Sequence, residues 1–255
     1  GYEMALMMNS GAEGVETAIK AARKWAYVSK GVPRYDAEII VAAGNFHGRT
    51  TTIVGFSTEE AYKHDFGPFT PGFKIVPYDD ADAIREAIND NTAAVMIEPI
   101  QGEGGVLMPK EGYLTEVAEM CKENDVLLIA DEIQTGWGRT GKLFACDHEG
   151  VKPDMMIVGK ALSGGFYPVS GVLSSKDVLG LIVPGDHGST FGGNPLGSAI
   201  ARTAMRVLVE EKMIENSAEL GEYFMGRLTR IESPHIKEVR GRGLFIAVDL
   251  NEASG

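Results

Sequence analysis

The sequence predicts an α/β protein with a mainly parallel sheet that is flanked by helices. Short apolar runs alternate with helical patterns along the middle of the chain, which is typical of strands buried on both faces of such a sheet. Three of these runs are followed at once by a charged residue: Glu98, Asp131 and Lys160. Ligands collect beyond the carboxyl ends of parallel strands, so this shared placement indicates a functional site.

Strands are predicted at residues 38–43, 73–78, 93–97, 126–130, 155–158 and 169–174, and residues 4–8 are also apolar. Helical stripes lie between them, at Val15, Ile19, Ala22 and Ala26, at Ile84 and Ile88, and at Leu114, Val117, Ala118 and Cys121. The first helix begins at Ser10 and Gly11, and Asp79 or Asp80 caps the second. Residues 57–72 hold several glycines and prolines and predict an irregular loop.

The last third of the chain predicts two helices and a hairpin. Asn194 caps a helix with Pro195 at its first position, and Ser233-Pro234 ends the helix that follows. The predicted buried face of the first comprises Leu196, Ile200, Ala204, Val207 and Leu208, and the stripe of the second comprises Leu220, Phe224, Leu228 and Ile231. A hairpin of residues 236–239 and 244–250 indicates two domains, a large one at 1–232 and the beginning of a second at 233–255.

Composition excludes several functional classes. The 255 residues carry a net charge of -12 and contain no basic cluster, so nucleic-acid binding is not expected. The apolar runs are too short to span a membrane, and no secretory signal pattern opens the chain. A cytoplasmic protein is therefore expected, with the mitochondrial matrix left open. The two cysteines and five histidines lack metal-ligand spacing.

Lys160 is the first candidate catalytic residue. It follows the apolar run 155–158 and precedes the small, flexible residues 161–165. A lysine at the mouth of a buried strand can be partly desolvated, which lowers its pKa and frees a nucleophilic amine for Schiff-base chemistry. The alternative is that the side chain extends to water as an ordinary surface charge.

Other candidates also have structural alternatives. Glu98, Asp131 and Lys160 could form a site or merely an ion-pair cluster. The helix start at Ser10 and Gly11 could bind a phosphate group or be a simple cap. In the loop at residues 44–49, Phe46 and Arg49 could stack on a flat ring and bind a carboxylate, or occupy a surface turn.

Taken together, these groups suit pyridoxal phosphate. Lys160 would hold the aldehyde, Asp131 would face the pyridine nitrogen and keep it protonated, and Phe46 would stack on the ring. Ser10, Gly11 and Ala12 would receive the phosphate.

Six motifs carry a close resemblance to a known family. They are NSGAEGVETAIK (9–20), GNFHGRT (44–50), EPIQGEGG (98–105), IADEIQTGWGRTGK (129–142), GKALSGGFYPVS (159–170) and HGSTFGGNP (187–195). The chain resembles the class III pyridoxal-phosphate aminotransferases over its whole length, and especially the ornithine-acting branch. The resemblance implies the large domain of a type I aminotransferase fold, followed by the start of a small C-terminal α+β domain.

The resemblance also implies roles for individual residues. Lys160 matches the Schiff-base lysine that shuttles a proton, Asp131 the partner of the pyridinium nitrogen, and Gln134 the residue that bonds the ring hydroxyl. Phe46 matches the stacking aromatic residue, and Ser10, Gly11 and Ala12 match the phosphate loop. Ser189 and Thr190 match phosphate contacts from the other subunit of a homodimer. Arg49 matches an arginine that binds a substrate carboxylate, and Glu103 matches the acid that pairs with a second arginine. Glu98 is expected to contact residues of the site rather than the cofactor or the substrate.

The implied reaction moves the δ-amino group of L-ornithine to 2-oxoglutarate by a ping-pong route. The family has a longer N-terminal region and a C-terminal small domain that holds the arginine partner of Glu103. Because the chain starts without Met and stops just after a predicted strand, we expect it to be a fragment of a longer protein.

Three alternative functions follow from the same sequence. Another class III enzyme would act on acetylornithine, 4-aminobutyrate or a similar ω-amine. A nucleotide-binding dehydrogenase is disfavoured because no G-x-G-x-x-G follows the first strand. The fragment could also be an inactive cofactor-binding or dimerising piece.

Overall fold

The computed structural model describes residues 1–251 and contains nine strands within that range. They are β1 (Met4–Met8), β2 (Glu38–Ala42), β3 (Phe73–Val76), β4 (Thr92–Ile97), β5 (Leu127–Asp131), β6 (Met155–Val158), β7 (Ser170–Ser174), β8 (Ile236–Arg242) and β9 (Phe245–Leu250). The predicted strands are all present, with bounds that differ by at most three residues.

The described residues form eight α-helices. They are α1 (Gly11–Trp25), α2 (Thr51–Gly55), α3 (Glu60–Lys63), α4 (Ala81–Ala87), α5 (Tyr113–Glu123), α6 (Lys176–Leu179), α7 (Pro195–Glu210) and α8 (Met213–Leu228). A π-helical turn at Ala26–Lys30 extends α1, and 3-10 turns lie at Ala145–His148 and Lys160–Ser163. The short helix α3 lies within residues 57–72, which the sequence predicted to be wholly irregular.

The first seven strands form one sheet in the order β1-β7-β6-β5-β4-β2-β3. The strands from β6 to β3 are parallel, whereas β7 runs antiparallel to both β6 and β1. The prediction of a mainly parallel sheet is therefore confirmed, and the antiparallel pairs lie together at one edge. Parallel strands deliver their carboxyl ends to one side of the sheet, and the site is found there.

Helices cover both faces of the sheet because its strands are apolar on both faces. Alternate residues of β5 belong to different cores: Leu127 and Ile129 pack on the side of α1, whereas Leu128 and Ala130 pack on the side of α4 and α5. The same period of two continues to Asp131, which is thereby directed to the side of α1.

Within the described residues, the predicted buried face of α7 is only partly buried, since Ile200, Ala204 and Leu208 are half-buried and the other two residues are exposed. Leu196 is 58% exposed and Val207 is 39% exposed, while the small residues Gly197 and Ala201 are buried instead. The apolar stripe borders an open groove of about 500 Å³, which is also lined by Phe166. Helical spacing identified the stripe correctly, but it does not reveal whether another element covers it.

The hairpin of β8 and β9 is a separate two-stranded sheet, as the sequence predicted. Phe245 and Ala247 pack against Ile100 and Val106, and the Arg240 guanidinium donates to the Gly105 carbonyl at 2.8 and 3.0 Å. The proposed boundary between residues 232 and 233 stays a prediction, and the last part of that segment, residues 252–255, lies outside the described range.

Candidate active site

A cavity of about 200 Å³ opens at the carboxyl ends of the parallel strands. Its walls come from the start of α1, the loop after β2, the ends of β4 and β5, and the turn after β6. The lining residues are Gly11, Ala12, Phe46, His47, Gly48, Glu98, Asp131, Ile133, Gln134 and Lys160. Glu98, Asp131 and Lys160, which the sequence placed at three strand ends, therefore border one space.

The N-terminus of α1 supplies backbone donors to this cavity. Ser10 caps the helix, and the Glu13 carboxylate folds back to accept the Ser10 and Asn9 amides at 2.6 and 3.1 Å. The first intrahelical bond runs from the Gly14 amide to the Ser10 carbonyl, so the amides of Gly11 and Ala12 have no acceptor within the helix. These free N–H groups and the positive end of the helix dipole favour an anion.

Close packing around the helix start requires small residues. A Cβ atom on Gly11 would lie 3.0 Å from Ile133 Cδ1, and one on Gly48 would lie 2.9 Å from the Ala12 Cβ. Gly48 also has φ of +132°, which L side chains rarely adopt. The loop after β2 can therefore approach α1 closely and leave its first amides open to the cavity.

Asp131 is a buried carboxylate that His47 fixes in place. Its Oδ2 accepts a hydrogen bond from His47 Nδ1 at 2.7 Å, and its Oδ1 accepts one from the Ile133 amide at 3.1 Å. The His47 side chain is fully buried, and this burial lowers its pKa. The hydrogen bond and charge of Asp131, together with the charge of Glu98, outweigh burial, so the pKa of His47 is raised and the imidazolium is favoured.

Glu98 connects two loops behind the cavity. Its carboxylate accepts the Phe46 amide at 2.8 Å and the Gly102 amide at 3.4 Å. Burial raises its pKa to about 7 even though the positive charge of His47 opposes that rise, and the negative charge of Asp131 adds to it. Phe46 is thus positioned at the cavity by a carboxyl group that changes charge near neutral pH.

Lys160 stands at the mouth of the cavity on the turn after β6. Its side chain is exposed, so this chain does not desolvate the amine as the sequence had suggested. Within residues 1–251 its Nζ has no hydrogen-bond or ion-pair partner, so no protein group there competes with a ligand for the amine. Its backbone has φ of +42°, a strained conformation for a residue with a side chain, and such strain is concentrated at functional sites.

The whole chain matches a known family. The sequence profile described as Aminotransferase class-III covers residues 1–255. The chain belongs to the class III aminotransferases. The chain is 59% identical over 254 residues to the ornithine aminotransferases of Brevibacillus brevis and Bacillus subtilis, and it spans 64% and 63% of their lengths.

Solved structures agree with this assignment. The ornithine aminotransferase of Toxoplasma gondii superimposes with a TM-score of 0.98 at 49% identity, over the whole of this chain and 62% of that one. Another structure of that enzyme has partial occupancy of pyridoxal phosphate at its active site. The acetylornithine aminotransferase of Elizabethkingia anophelis gives a TM-score of 0.89 at 51% identity, over 99% of this chain and 62% of that one.

Five residues that the sequence assigned to this class III site do not line the cavity: Ser10, Arg49, Glu103, Ser189 and Thr190. The Arg49 guanidinium lies over the ring of Tyr62, at 4.4 Å from its centre, and 5.5 Å from that of Phe46. Glu103 accepts a hydrogen bond from the Gln134 amide at 3.1 Å.

The remaining three positions are Ser10, at the start of α1, and the neighbouring pair Ser189 and Thr190. Ser189 Oγ accepts a hydrogen bond from Asn9 Nδ2 at 2.9 Å within the same chain, and Thr190 is exposed. The Ser10 carbonyl accepts a hydrogen bond from Ser170 Oγ at 2.6 Å, which joins the start of α1 to β7. Neither Ser189 nor Thr190 lines the cavity of its own chain.

Sequence reasoning missed His47, Gly48 and Ile133 as residues of the cavity. His47 is adjacent to Phe46 in the motif GNFHGRT, which was the one available signal. Nothing in the order of residues indicated that this histidine is buried against Asp131. In the described part of the chain, no cluster of three or more histidine, cysteine or acidic side chains could hold a metal, and no helix there is long and apolar enough to span a membrane.

Proposed function

We propose that the protein is a pyridoxal-phosphate-dependent aminotransferase that moves the δ-amino group of L-ornithine to 2-oxoglutarate. The observation that supports this most strongly is the shared cavity. It joins a free lysine amine, a buried carboxylate and the open amides of a helix start, and these match the aldehyde, the pyridine nitrogen and the phosphate of the cofactor.

The residues present fit the cofactor group by group. The unpaired amides of Gly11 and Ala12 suit a phosphate, because they add hydrogen bonds to the helix dipole. Asp131 suits a protonated ring nitrogen, since its charge is buried and kept in place by His47. Phe46 borders the same space and offers an aromatic face to a flat ring.

Pyridoxal phosphate, when bound, supplies a reactive aldehyde and a ring that draws electrons from the substrate bond being broken. Lys160 would hold the cofactor through its free Nζ and then carry a proton at that atom. Asp131 would keep the ring nitrogen protonated through its negative charge. His47 would hold the Asp131 carboxylate in one orientation through its hydrogen bond, while Glu98 would hold Phe46 at the ring.

The choice of ornithine rests on similarity and on two side chains. The ornithine aminotransferases of Brevibacillus brevis and Bacillus subtilis are 59% identical to this chain. Among solved structures, the Toxoplasma gondii ornithine enzyme is 49% identical with a TM-score of 0.98, and the Elizabethkingia anophelis acetylornithine enzyme is 51% identical with a TM-score of 0.89. Arg49 would bind a substrate carboxylate, and Glu103 would pair with an arginine outside this sequence. Because the chain spans about two thirds of its relatives' length, these roles belong to the whole protein.

We also propose a homodimer with its active site at the subunit interface, where Ser189 and Thr190 of one subunit reach the phosphate of the other. The exposure of Thr190 supports this role, because a partner subunit could contact it. The large domain would comprise residues 1–232, and residues 233–255 would begin the small domain. The separate sheet of β8 and β9 supports that division. A cytoplasmic location stays a prediction.

The test is the visible absorbance of the full-length protein mixed with pyridoxal phosphate. We expect a band that shifts when L-ornithine is added and that is absent from Lys160→Ala. Lys142→Ala is the matched control, since Lys142 is also exposed and lies outside the cavity. Equal spectra for wild type and Lys160→Ala would refute the assignment of the lysine.

A panel of amino donors tests the substrate. We expect a larger kcat/KM for L-ornithine than for acetylornithine, 4-aminobutyrate or related ω-amines, each with 2-oxoglutarate as acceptor. Faster turnover of acetylornithine would contradict the proposed donor while leaving the cofactor chemistry intact.

A further inference from the structure

The segment 186–190 lies along α1 in the opposite direction to the helix. The contacts pair Asp186 with Lys24, His187 with Lys20 and Thr17, and Ser189 with Asn9. Successive residues of the segment therefore contact residues that are progressively nearer the N-terminus of α1. The segment brings Ser189 to the N-terminal end of α1.

The hydrogen bonds of His187 define which ring nitrogen carries the proton. Thr17 Oγ1 donates its own hydrogen to the Glu13 carbonyl at 2.7 Å, so it can only accept from His187 Nε2 at 2.8 Å. Nδ1 must then be unprotonated, and it accepts from the Lys20 ammonium at 2.9 Å. Both contacts require a neutral imidazole.

Protonation of His187 would break this arrangement. It would place an N–H group directly against the Lys20 ammonium, with the loss of one hydrogen bond and the addition of a repulsion between like charges. Burial lowers the pKa of His187, and the charge of Lys20 lowers it further. The neighbouring acid on the same segment, Asp186, is engaged by Lys24 and by the Val183 amide.

We propose that neutral His187 is a positioning residue that fixes the segment 186–190 on α1 and so sets the position from which Ser189 and Thr190 reach the phosphate held by the partner subunit. The imidazolium form releases the segment. The role toward the cofactor rests on the proposed function, but the attachment of the segment does not.

The direction of the pH effect follows from the lowered pKa. A histidine that is held neutral in the attached state contributes its full stabilisation above its ordinary pKa of about 6.5, and that stabilisation is lost as the pH falls below this value. A single proton limits the change in affinity to about tenfold per pH unit. Retention of pyridoxal phosphate should therefore weaken on the acid side.

The first experiment measures the dissociation constant for pyridoxal phosphate on the full-length protein between about pH 5 and pH 8, the range in which histidine titrates. His187→Asn is the matched variant, because its side-chain oxygen can replace Nδ1 as the acceptor for Lys20 but cannot be protonated. The phosphate of the cofactor also titrates near pH 6 and can itself change the affinity. The variant shows how large that change is in the absence of a titrating His187.

We expect wild type to lose affinity below about pH 6.5 more steeply than His187→Asn does. At neutral pH the variant should bind within about tenfold of wild type, since it loses one hydrogen bond. Lys20→Met removes the repelling charge, so its acid-side loss should be smaller than that of wild type. If wild type and His187→Asn lose affinity for pyridoxal phosphate to the same extent on the acid side, the proposal is overturned.

The second experiment needs no cofactor. Histidine-selective ¹⁵N NMR of the apoprotein should show His187, assigned by its absence from His187→Asn, as the Nε2–H tautomer with a pKa below the ordinary value. Lys20→Met should raise that pKa. The Nδ1–H tautomer, or a pKa at or above the ordinary value, would overturn the proposal. If no variant takes up pyridoxal phosphate at any pH, the proposed function fails, and the spectra still decide the state of His187.

Discussion

Because the carboxyl group of Glu98 is buried, we expect the free energy of unfolding to depend on pH by an amount that can be calculated. The pKa of Glu98 rises from an ordinary value of 4.5 to about 7 in the folded protein. Between about pH 4.5 and pH 7, Glu98 therefore keeps its proton in the native state but has released it in the unfolded state. As the pH rises from 4.5 to about 7, this difference destabilises the fold, and above that range the loss is constant.

The size of the effect follows from the same two values. Each pH unit between them changes the free energy of unfolding by about 1.4 kcal/mol, so the whole interval is worth about 3 kcal/mol. Glu98→Gln removes the titration but keeps a side-chain oxygen that can accept the Phe46 amide. Relative to wild type, the variant should therefore gain about 3 kcal/mol across the interval, most of it between about pH 5 and pH 8.

Urea unfolding of the apoprotein at several pH values measures this gain. The quantity of interest is the difference in free energy of unfolding between wild type and Glu98→Gln, followed as a function of pH. Any cost of the substitution that does not depend on pH therefore cancels. Titrating groups that the charge of Glu98 does not influence are common to both proteins and cancel as well, whereas His47 titrates differently in the variant because the charge of Glu98 raises its pKa. Stability profiles that run parallel from pH 5 to pH 8 would refute the reasoning, because they would show that Glu98 is ionised in the folded state at the same pH as in the unfolded chain.

Substitutions at two further positions, His47 and Gly48, test the walls of the site. His47→Phe leaves Asp131 buried without its imidazole donor and should lower the free energy of unfolding in urea by about 3–5 kcal/mol. His47→Asn can still donate a hydrogen bond to the carboxylate, so it should retain part of that stability. Equal losses in the two variants would contradict the role of the hydrogen bond. Gly48→Ala should cost about 1–3 kcal/mol, because φ is +132° and the new Cβ would lie 2.9 Å from a neighbouring methyl group. Gly226→Ala, in open space within α8, should be neutral or stabilising by about 0.5–1 kcal/mol, and a similar change in melting temperature for both glycine variants would contradict this account.

Much of the fold was predictable because apolar runs and helix caps are local signals. Ser10, Asp80 and Asn194 cap the helices as the sequence indicated, since each side chain bonds to a backbone amide only a few residues away. The ends of β4, β5 and β6 were also predictable, and these ends carry Glu98, Asp131 and Lys160 to one edge of the sheet.

What the sequence did not reveal depends on contacts between distant segments. His47 lies against Asp131 across 84 positions of chain, and no local pattern distinguishes a buried histidine from an exposed one. The stripe of α7 was apolar as predicted, yet Leu196 and Val207 are exposed, because helical spacing cannot identify what covers a face. The attachment of His187 to α1 depends on the same kind of distant contact.

The central claim is that the amine of Lys160 and the carboxylate of Asp131 serve one bound pyridoxal phosphate. The most direct measurement is borohydride reduction of the full-length protein loaded with the cofactor, followed by peptide mass spectrometry. We predict that the reduced cofactor is found on the peptide that contains Lys160, and that Asp131→Asn, which removes the negative charge, lowers the yield. A label on a different lysine, or no label at any lysine, would contradict the account.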